Sequence, residues 1–347
     1  MDTHLVNRIK ILYVGSKDGT SLDRANAFRR LGHVVEHVNL RELLPRTVWV
    51  DRATWQLGGA LFGAVLIPRL RTKLKGGRFD LCHVDSGAWV TPQIVGLLRE
   101  HTDRVINYSI DDPLGPRDGV RWKAYRQSLS YYDLCVVMRE QNVAEARALG
   151  ANKVLRVYMS ADEITHAPRT ITEADRRTWA SDVLFVGTWF PERGPFLLDL
   201  IKQGIPLQIR GHKWNRAPEW SQLQSHWKGG NLGSEDYAKA IQCSKVSLGL
   251  LSKGNRDLHT TRSLEIPALG GLLCAERTSE HLQMYRENAE ALYWSDAEEC
   301  AAACRWALSD EVRRQEIAAA GHVRIAVNKN YNESVMSSIL DSAFGVS

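Results

Sequence analysis

The segment HTTRSLEIPALGG, residues 259–271, places a single carboxylate, Glu265, at the start of a short stretch that is otherwise apolar and built of small residues. Burying a carboxylate without a partner is costly, so Glu265 requires a group to bind. The two hydroxyls of a ribose are one candidate. Arg262, one helical turn earlier, is the structural alternative.

Basic and hydroxyl side chains precede Glu265 and follow the apolar segment KVSLGLL at 245–251. Cationic and hydroxyl groups at the end of a strand suit an anionic ligand such as a phosphate. A solvated loop would also explain each of these charges. The residues concerned are Lys253, Arg256, His259, Thr260, Thr261 and Arg262.

A second candidate phosphate site is VLFVGTWFPERG, residues 183–194. Gly187 and Thr188 end the predicted strand, and Arg193 opens the next predicted helix. Backbone amides at such a turn bind phosphate, and an arginine adds a forked cationic donor. Glycines between strand and helix are common in any fold of this kind, so packing alone is the alternative.

Two acidic motifs in the first half of the chain end predicted strands. SIDDP contains Asp111 and Asp112, and CHVDSG contains His83 and Asp85. A carboxylate or imidazole in such a position can act as a general base on an acceptor hydroxyl. For the aspartates, the structural alternative is an Asx turn before Pro113.

Residues 55–78 combine an apolar run from Leu57 to Ile67 with five basic and no acidic residues between Arg69 and Arg78. This composition fits a helix that lies on an anionic membrane surface. It also fits an ordinary packed helix with a solvated basic end. No apolar run reaches the roughly 20 residues that span a bilayer.

The composition limits the class of protein. A chain of 347 residues with a net charge of +5 predicts two soluble domains that favour anionic ligands, and nucleic acid is not indicated. The six cysteines have no zinc-site spacing, so buried, reduced thiols are expected. The beginning of the sequence lacks a signal-peptide pattern. We therefore expect a cytoplasmic protein, with peripheral contact at the inner membrane face if 55–78 binds lipid.

Apolar runs alternate with helical patterns along the chain, which predicts parallel sheets covered by helices on both faces. The alternation breaks near residue 165, in a polar stretch with Pro168. The prediction is two Rossmann-like, doubly wound α/β domains, 1–165 and 166–325, that face a central cleft. Ligands in such sheets bind at the carboxyl ends of the strands.

Residues 245–330 resemble the C-terminal half of GT-B glycosyltransferases, and most of all the CgeB/YkvP-like group with a family 1/4-type C-terminal domain. The shared frame is a basic-Thr-x-Arg loop, a glutamate, a small-residue helix with Gly-Gly, an acidic strand end and the closing GHVRI. DVLFVGTWFPERG extends the resemblance, and NYSIDDP and VYMSADEITHAP match it more loosely.

The resemblance implies a nucleotide-sugar donor site in the second domain, an acceptor site in the first, and a C-terminal helix within 326–347 that returns to the first domain. Glu265 would bind the ribose, and Arg193, with Lys253 or Arg262, the diphosphate. Asp257 stands where retaining members carry a second carboxylate, eight residues before Glu265, but is one methylene shorter.

The implied reaction is metal-independent glycosyl transfer, with retention favoured by the spacing of Asp257 and Glu265. No cofactor is implied besides the donor substrate, and the acceptor would be a glycan, a lipid-linked molecule or a small molecule. Two alternatives share the fold: a nucleotide-sugar 2-epimerase, which alters the donor without an acceptor, and a non-catalytic binding or coat protein. Fold alone does not decide between them.

Overall fold

The computed structural model describes residues 8–345, which form two compact units. Within the described residues, the first unit comprises 8–158, 254–256 and 332–345, and the second comprises 159–253 and 257–331. The boundary thus falls before the polar stretch that suggested it. The C-terminal segment of the first unit begins at Asn332, later than the predicted 326.

The first unit contains a six-stranded parallel sheet in the order β2-β1-β3-β4-β5-β6. Every residue of β3 and β4 is buried, as expected for central strands covered on both faces. Its strands are β1 Lys10–Val14, β2 Val34–Val38, β3 Leu81–Asp85, β4 Val105–Ser109, β5 Leu134–Val137 and β6 Val154–Arg156. The order reverses direction between β1 and β3, which creates a crevice at their carboxyl ends.

Helices of the first unit connect these strands, and the last helix of the chain packs against the first. They are α1 Gly19–Arg30, α2 Val48–Leu57, α3 Gly63–Leu74, α4 Pro92–Arg99, α5 Lys123–Ser128, α6 Glu140–Ala148 and α15 Asn332–Phe344. Short 3-10 helices occur at Leu40–Leu43, Gly59–Phe62, Gly119–Trp122 and Leu129–Tyr131.

The second unit contains a five-stranded parallel sheet in the order β11-β10-β9-β7-β8. Its strands are β7 Ser181–Val186, β8 Leu207–Arg210, β9 Ser244–Gly249, β10 Leu273–Glu276 and β11 Leu292–Trp294. The reversal lies between β7 and β9, so the loops that follow these two strands meet at the expected ligand crevice.

Helices of the second unit are α7 Glu173–Trp179, α8 Arg193–Lys202, α9 Trp220–Leu223, α10 Ser234–Gln242, α11 Arg262–Ala268, α12 Ser279–Met284, α13 Ala297–Ser309 and α14 Glu311–Val327, with a 3-10 turn at Trp214–Arg216. A further 3-10 turn, Lys253–Asn255, begins with the last residue before the 254–256 segment of the first unit. Helix α7 lies in the polar stretch where the alternation breaks, and Thr172 and Asp175 form a reciprocal capping box at its start.

Each unit has its own hydrophobic core. The two parallel-sheet units confirm the predicted Rossmann-like α/β fold. None of the helices within residues 8–345 has the length and apolar character needed to cross a bilayer.

Candidate functional site

Glu265 lies in the second unit on α11, and its side chain is almost wholly buried. Its Oε2 accepts a hydrogen bond of 2.8 Å from the Tyr237 hydroxyl, and its Oε1 lies 3.7 Å from Nε2 of His166. Nδ1 of His166 accepts the backbone N–H of Asp162 at 2.8 Å, so the hydrogen of a neutral ring is on Nε2, facing Glu265. The carboxylate therefore accepts a hydrogen bond from Tyr237 and faces the imidazole of His166.

Arg262, the structural alternative as partner of Glu265, is not its partner. Its Nε donates to the backbone carbonyl of Val186, the last residue of β7. Within residues 8–345 the two terminal amino groups of Arg262 form no hydrogen bond. Burial and the charge of Glu265 raise the pKa of Tyr237, and the charge of Arg262 opposes that shift. The two terminal amino groups of Arg262 are thus available to a ligand near Glu265.

The loop before α11 is anchored by a chain of hydrogen bonds through His281. Nδ1 of His281 donates to the carbonyl of Glu276 at 2.6 Å, and its Nε2 accepts from the Ser263 hydroxyl at 2.7 Å. The Ser263 oxygen in turn accepts the backbone N–H of Thr260 at 3.1 Å. Burial lowers the pKa of His281 to about 4, so the ring is neutral, as its accepting nitrogen requires.

His259 was expected to bind the nucleotide, but the structure assigns both of its ring nitrogens to the protein. Nε2 accepts the backbone N–H of Met159 at 2.9 Å, and Nδ1 contacts the carboxylate of Glu280. The side chain is 2 % exposed. We therefore correct its role to anchoring the loop.

The two threonines next to His259 differ in their surroundings. Thr260 is 7 % exposed, and its buried Oγ1 has no hydrogen-bond partner among the described residues. Thr261 is half-buried and precedes α11, where its carbonyl accepts the N–H groups of Leu264 and Glu265. Both stay candidates for donor binding.

Gly187 lies where β7 and β8 end side by side. A Cβ on Gly211, whose φ is +131°, would come within 2.1 Å of the Gly187 carbonyl oxygen. The absence of side chains allows this backbone contact. The carbonyl of Gly187 also accepts from Nε1 of Trp214 at 2.9 Å. The carbonyl of Thr188, the next residue, accepts a hydrogen bond from the Arg193 guanidinium.

Arg193 does not present its guanidinium as predicted. Its terminal amino groups donate to the carbonyls of Thr188, Leu250 and Leu251 at 2.8–3.1 Å, and the residue is 4 % exposed. A guanidinium with these three acceptors ties the loop after β7 to the loop after β9. We correct its role from binding diphosphate to holding these loops together.

Two further predicted residues lie after β9: Lys253, predicted to bind the donor, and Asp257, predicted to be catalytic. Nζ of Lys253 contacts both carboxylate oxygens of Glu276, and the lysine side chain is 56 % exposed. An exposed ion pair is worth little, so Lys253 can exchange Glu276 for an anionic ligand. Asp257 is 7 % exposed, and its backbone N–H bonds to the carbonyl of Ser252 at 3.3 Å.

In the first unit, Asp112 belongs to an ion-pair network rather than to an open site. Arg256 binds it through Nε at 2.6 Å and Nη2 at 2.8 Å, and contacts Glu145 at 2.7 and 2.9 Å. Asn142 and the backbone of Gly115 complete the carboxylate's partners. Burial acts to raise the pKa of Asp112, but the bonds from Arg256 and Asn142 outweigh it and lower the pKa.

A base with a lowered pKa and all of these partners is poorly placed to accept a proton. The bond from Gly115 also matches the turn that was the structural alternative. We therefore correct Asp112 from catalytic base to structural carboxylate. Asp111 is different: its side chain is 35 % exposed and lies 3.8 Å from Nη2 of Arg121. Asp111 stays a candidate on the acceptor side.

His83 does not face a crevice. It is fully buried on β3, stacked at 4.9 Å on Tyr13 and 5.9 Å from the ring of Tyr108, and burial lowers its pKa to about 4. Neither ring nitrogen has a hydrogen-bond partner within residues 8–345. The prediction of a catalytic His83 is wrong because the side chain lies inside the core.

Asp85, two residues later, does reach the crevice after β1 and β3. A cavity of about 210 Å³ opens there, lined by Ser16, Asn39, Trp89 and Arg121 as well as by Asp85. Asp85 pairs with Arg24 at 2.8 Å and accepts from the Tyr13 hydroxyl. Ser86 and Gly87, with φ of +75° and +93°, turn the chain sharply at its edge.

A metal could be held in the described residues by Cys274, Cys300 and Cys304, whose sulfur atoms lie within 4.8 Å of one another. All three are fully buried in the core of the second unit. Packing of reduced thiols explains the group, as the sequence suggested. None of the three contacts the residues around Glu265 described above.

Comparison with known proteins gives the class of this arrangement. The model of the glycosyl transferase-like family matches residues 193–341, which includes Glu265 and its loop. A search of curated proteins finds no significant match. Solved structures are similar over nearly the whole chain, and they are GT-B proteins.

Three of these structures show the extent of the similarity. Sucrose-phosphate synthase from Thermosynechococcus elongatus has a TM-score of 0.69 at 13% identity, covering 97% of this chain and 98% of its own. Anabaena Alr3699/HepE in complex with UDP-glucose gives 0.65 at 11%, covering 96% and 100%. Trehalose-6-phosphate synthase, from work on glycosyl transfer with retention, gives 0.66 at 11%, covering 97% and 99%.

The fold of the chain is therefore GT-B. Residues 193–341, which carry the candidate site, are similar to the glycosyl transferase-like family.

The residues that position the predicted site residues could not be identified from the sequence. Tyr237 and His166 lie 28 and 99 residues before Glu265 in the sequence, and no spacing connects them. His281 was in the matched segment but carried no signal of its own. Arg256 was grouped with the donor loop, and the structure assigns it to the first unit.

Proposed function

We propose that the protein transfers a glycosyl group from a nucleotide-sugar donor, bound by the second unit, to a hydroxyl of an acceptor bound by the first. The observation that carries this proposal is the combination of Glu265 and Arg262 in one neighbourhood. A buried carboxylate held by neutral groups suits a ribose diol, and an uncommitted guanidinium suits a diphosphate.

The donor to test first is a UDP-sugar, since the Anabaena neighbour is complexed with UDP-glucose. In our proposal Glu265 accepts hydrogen bonds from the ribose hydroxyls, with Tyr237 and His166 as positioning residues. Thr260, whose buried hydroxyl has no protein partner within 8–345, and Thr261 lie next to Arg262 and bind the phosphates with it. Lys253 joins them when it leaves Glu276.

The reaction we propose is displacement of the nucleoside diphosphate from the anomeric carbon. The bond between that carbon and the diphosphate oxygen breaks, the acceptor oxygen bonds to the carbon on the same face, and the acceptor's hydroxyl proton passes to the departing diphosphate oxygen. Negative charge develops on the diphosphate, and fixed cationic donors stabilise it without a metal ion. Arg262 and Lys253 are the residues of this chain that supply that charge.

Retention of the anomeric configuration is the stereochemistry we propose, because Asp257 and Glu265 keep the spacing of retaining enzymes and a structural neighbour is known for transfer with retention. The cavity beside Asp85 and Trp89 is the proposed acceptor site. Placement in the CgeB/YkvP-like group is likewise a proposal, supported by the frame around residues 245–330.

The test is calorimetric binding of UDP, GDP, TDP and CMP to the wild type, to Glu265→Gln and to Glu298→Gln. Glu298 is an exposed glutamate of the same unit that forms no salt bridge within residues 8–345, so it controls for the loss of a charge. Hydrogen bonds to charged groups contribute about 1.5–3 kcal/mol, so Glu265→Gln should weaken the preferred nucleotide at least about tenfold. Glu298→Gln should bind as the wild type does.

Incubation of the bound nucleotide's sugar conjugates with and without acceptor hydroxyl compounds then separates the reactions. Nuclear magnetic resonance of the product reports its anomeric configuration. An epimerised donor without acceptor would replace our proposal with an epimerase. A folded wild type that binds no nucleotide would replace it with a binding protein.

A further inference from the structure

One surface of the first unit carries large apolar side chains in contact with solvent. We call it the α2–α3 face and define it by Val48, Trp49, Trp55, Leu57, Leu61 and Val65. Their exposure is 82, 72, 55, 61, 58 and 40 % respectively. Six of the seventeen exposed large hydrophobic residues in the described chain thus fall within eighteen consecutive positions. Single exposed apolar residues are normal, but such a concentration indicates a surface that binds something.

The structure explains how helix α2 produces this exposure. Val50 and Thr54 occupy its buried side, four residues apart. Val48, Trp49 and Trp55 point away from it, and Arg52 lies among them with its guanidinium 5.9 Å from the Trp49 ring. The helix therefore packs with a small, partly polar side and exposes its larger apolar side.

Helix α3 packs differently. Its Leu66, Leu70 and Leu74 are buried in the core, so ordinary packing accounts for most of its apolar residues. The apolar run in the sequence predicted this surface at 57–67, and the exposed apolar side chains extend back to Val48. The predicted basic end is exposed as expected, at Arg69, Arg71, Lys73, Lys75 and Arg78.

The charge of the face limits what can cover it. Residues 48–78 contain six basic side chains and one acidic side chain, Asp51, which pairs with Arg41 at 2.9 Å. Arg71 and Arg78 pair with Glu100 and Asp103, but Lys73 and Lys75 have no salt bridge within residues 8–345. A second copy of this chain on the same face would oppose like charges. A nucleic acid would leave Val48, Leu57 and Leu61 in water.

We propose that the α2–α3 face binds the surface of an anionic lipid bilayer. Tryptophan and leucine side chains enter the boundary between headgroups and acyl chains, and the lysines and arginines meet the anionic headgroups. This combination of exposed aromatic, aliphatic and basic side chains is what such a boundary requires. The inference does not depend on the proposed glycosyl transfer, because lipid binding can be measured without any reaction.

The test is co-sedimentation of the full chain with phosphatidylcholine vesicles, with and without phosphatidylglycerol. The wild type should sediment with the anionic vesicles and stay in solution with the neutral ones, and added salt should release it. The variant Trp49→Ser/Leu61→Ser removes two side chains that are each more than half exposed. Trp55 is left in place because it stacks on Arg121 at 4.3 Å.

A second variant, Lys73→Glu/Lys75→Glu, reverses the charge of the two lysines. Each variant should partition to anionic vesicles at least about tenfold less than the wild type. Matched controls on the second unit are Trp306→Ser/Val312→Ser, of exposed apolar residues, and Arg177→Glu/Lys202→Glu, of exposed cations. Circular dichroism checks that every variant is folded.

Wild-type binding that both face variants lose and both controls keep supports the proposal. Three results would overturn it: no sedimentation of the wild type with anionic vesicles, equal loss in the controls, or a dimer in ultracentrifugation that Trp49→Ser/Leu61→Ser abolishes. The last result would assign the face to a second copy of the chain.

Discussion

The carboxylates near the strand ends have different kinds of partner in the two units. In the first unit the carboxylates face guanidinium groups: Asp85 pairs with Arg24, and Asp112 and Glu145 share Arg256. In the second unit the carboxylate of Glu265 faces a hydroxyl and an imidazole instead.

This difference decides what each unit can offer a ligand. Charges that are paired within the protein leave little net field, whereas neutral partners leave a carboxylate's charge and lone pairs for hydroxyl groups. Arg262 lies three residues before Glu265, and among the described residues only its Nε forms a hydrogen bond with the protein. The second unit thus leaves a carboxylate and a guanidinium available to a ligand. A nucleoside diphosphate can use both, the carboxylate for its ribose hydroxyls and the guanidinium for its phosphates.

The largest effect should follow from breaking the ion-pair network of the first unit. Arg256→Ala leaves the buried carboxylate of Asp112, whose side chain is 1 % exposed, without its cation. Removing one partner of a buried pair costs roughly 3 kcal/mol or more, so the denaturant midpoint should fall clearly. Asp112→Asn should cost less because no charge is left unpaired.

Chemical denaturation with hydrogen exchange measured by mass spectrometry would locate the loss in the first unit. A fully stable Asp112→Asn that lacks transferase activity would contradict the structural role and restore Asp112 as a base.

The second largest effect should be a loss of stability in acid, which comes from a buried histidine in each unit. The pKa of His281 is lowered to about 4 by burial, against an ordinary value of 6.5. The unfolded chain therefore binds more protons than the folded one in this range, and stability falls as pH falls from about 6.5 to about 4. The loss is at most about 3 kcal/mol.

His83 of the first unit has the same lowered pKa but no hydrogen bonds, so His83→Phe isolates the effect of His281. This variant should lose less stability in acid than the wild type and none at pH 7. His281→Phe should be less stable at every pH, because the Ser263 hydroxyl and the Glu276 carbonyl lose their partner. Unfolding curves from pH 7 to pH 4 would contradict this account if both variants behaved alike.

A pair of arginines in the second unit sharpens the comparison further. Arg262→Gln should weaken nucleoside diphosphate binding about tenfold or more, with little change in stability, since its terminal amino groups have no protein partner within 8–345. Arg193→Gln should lower stability and change nucleoside diphosphate binding little, because three backbone carbonyls lose their donors. Calorimetry and thermal unfolding of both variants measure the two effects, and exchanged results would restore Arg193 as the phosphate ligand.

The smallest effect concerns Tyr237. Tyr237→Phe removes one hydrogen bond to Glu265, which should weaken UDP about fivefold. A positioning role for the ribose predicts a smaller preference of the variant for UDP over 2′,3′-dideoxy-UDP. A loss of general stability would weaken both ligands equally, so the ratio of the two dissociation constants distinguishes the explanations.

The fold could be predicted from the sequence because the central strands are short apolar runs that end at a glycine or a charge, as β7 does before Gly187 and β3 does at Asp85. β7 and β9 begin within one to two residues of their predicted segments. Helix α7 was missed because its polar surface hides the helical pattern, although Thr172 and Asp175 have the spacing of a capping box.

The candidate site could be predicted only in part. The sequence indicated that Glu265 needs a partner, but Tyr237 and His166 come from distant segments that only the fold brings together. It also treated every strand-end cation and imidazole as available. Arg193 and His259 are instead held by backbone groups, and such bonds have no sequence signal. A cytoplasmic location stays a prediction.

The assignment of Gly254–Arg256 and helix α15 to the first unit has a consequence for the gene. Three separate stretches of the gene encode the first unit. A hybrid that takes its second half from a relative would therefore carry that relative's residue in place of Arg256, the partner of Asp112. It would also carry that relative's helix in place of α15, which packs against α1. Functional hybrids would need to keep these inserts with the first half. Selection on the two halves of the coding sequence is therefore coupled through three residues and one terminal helix.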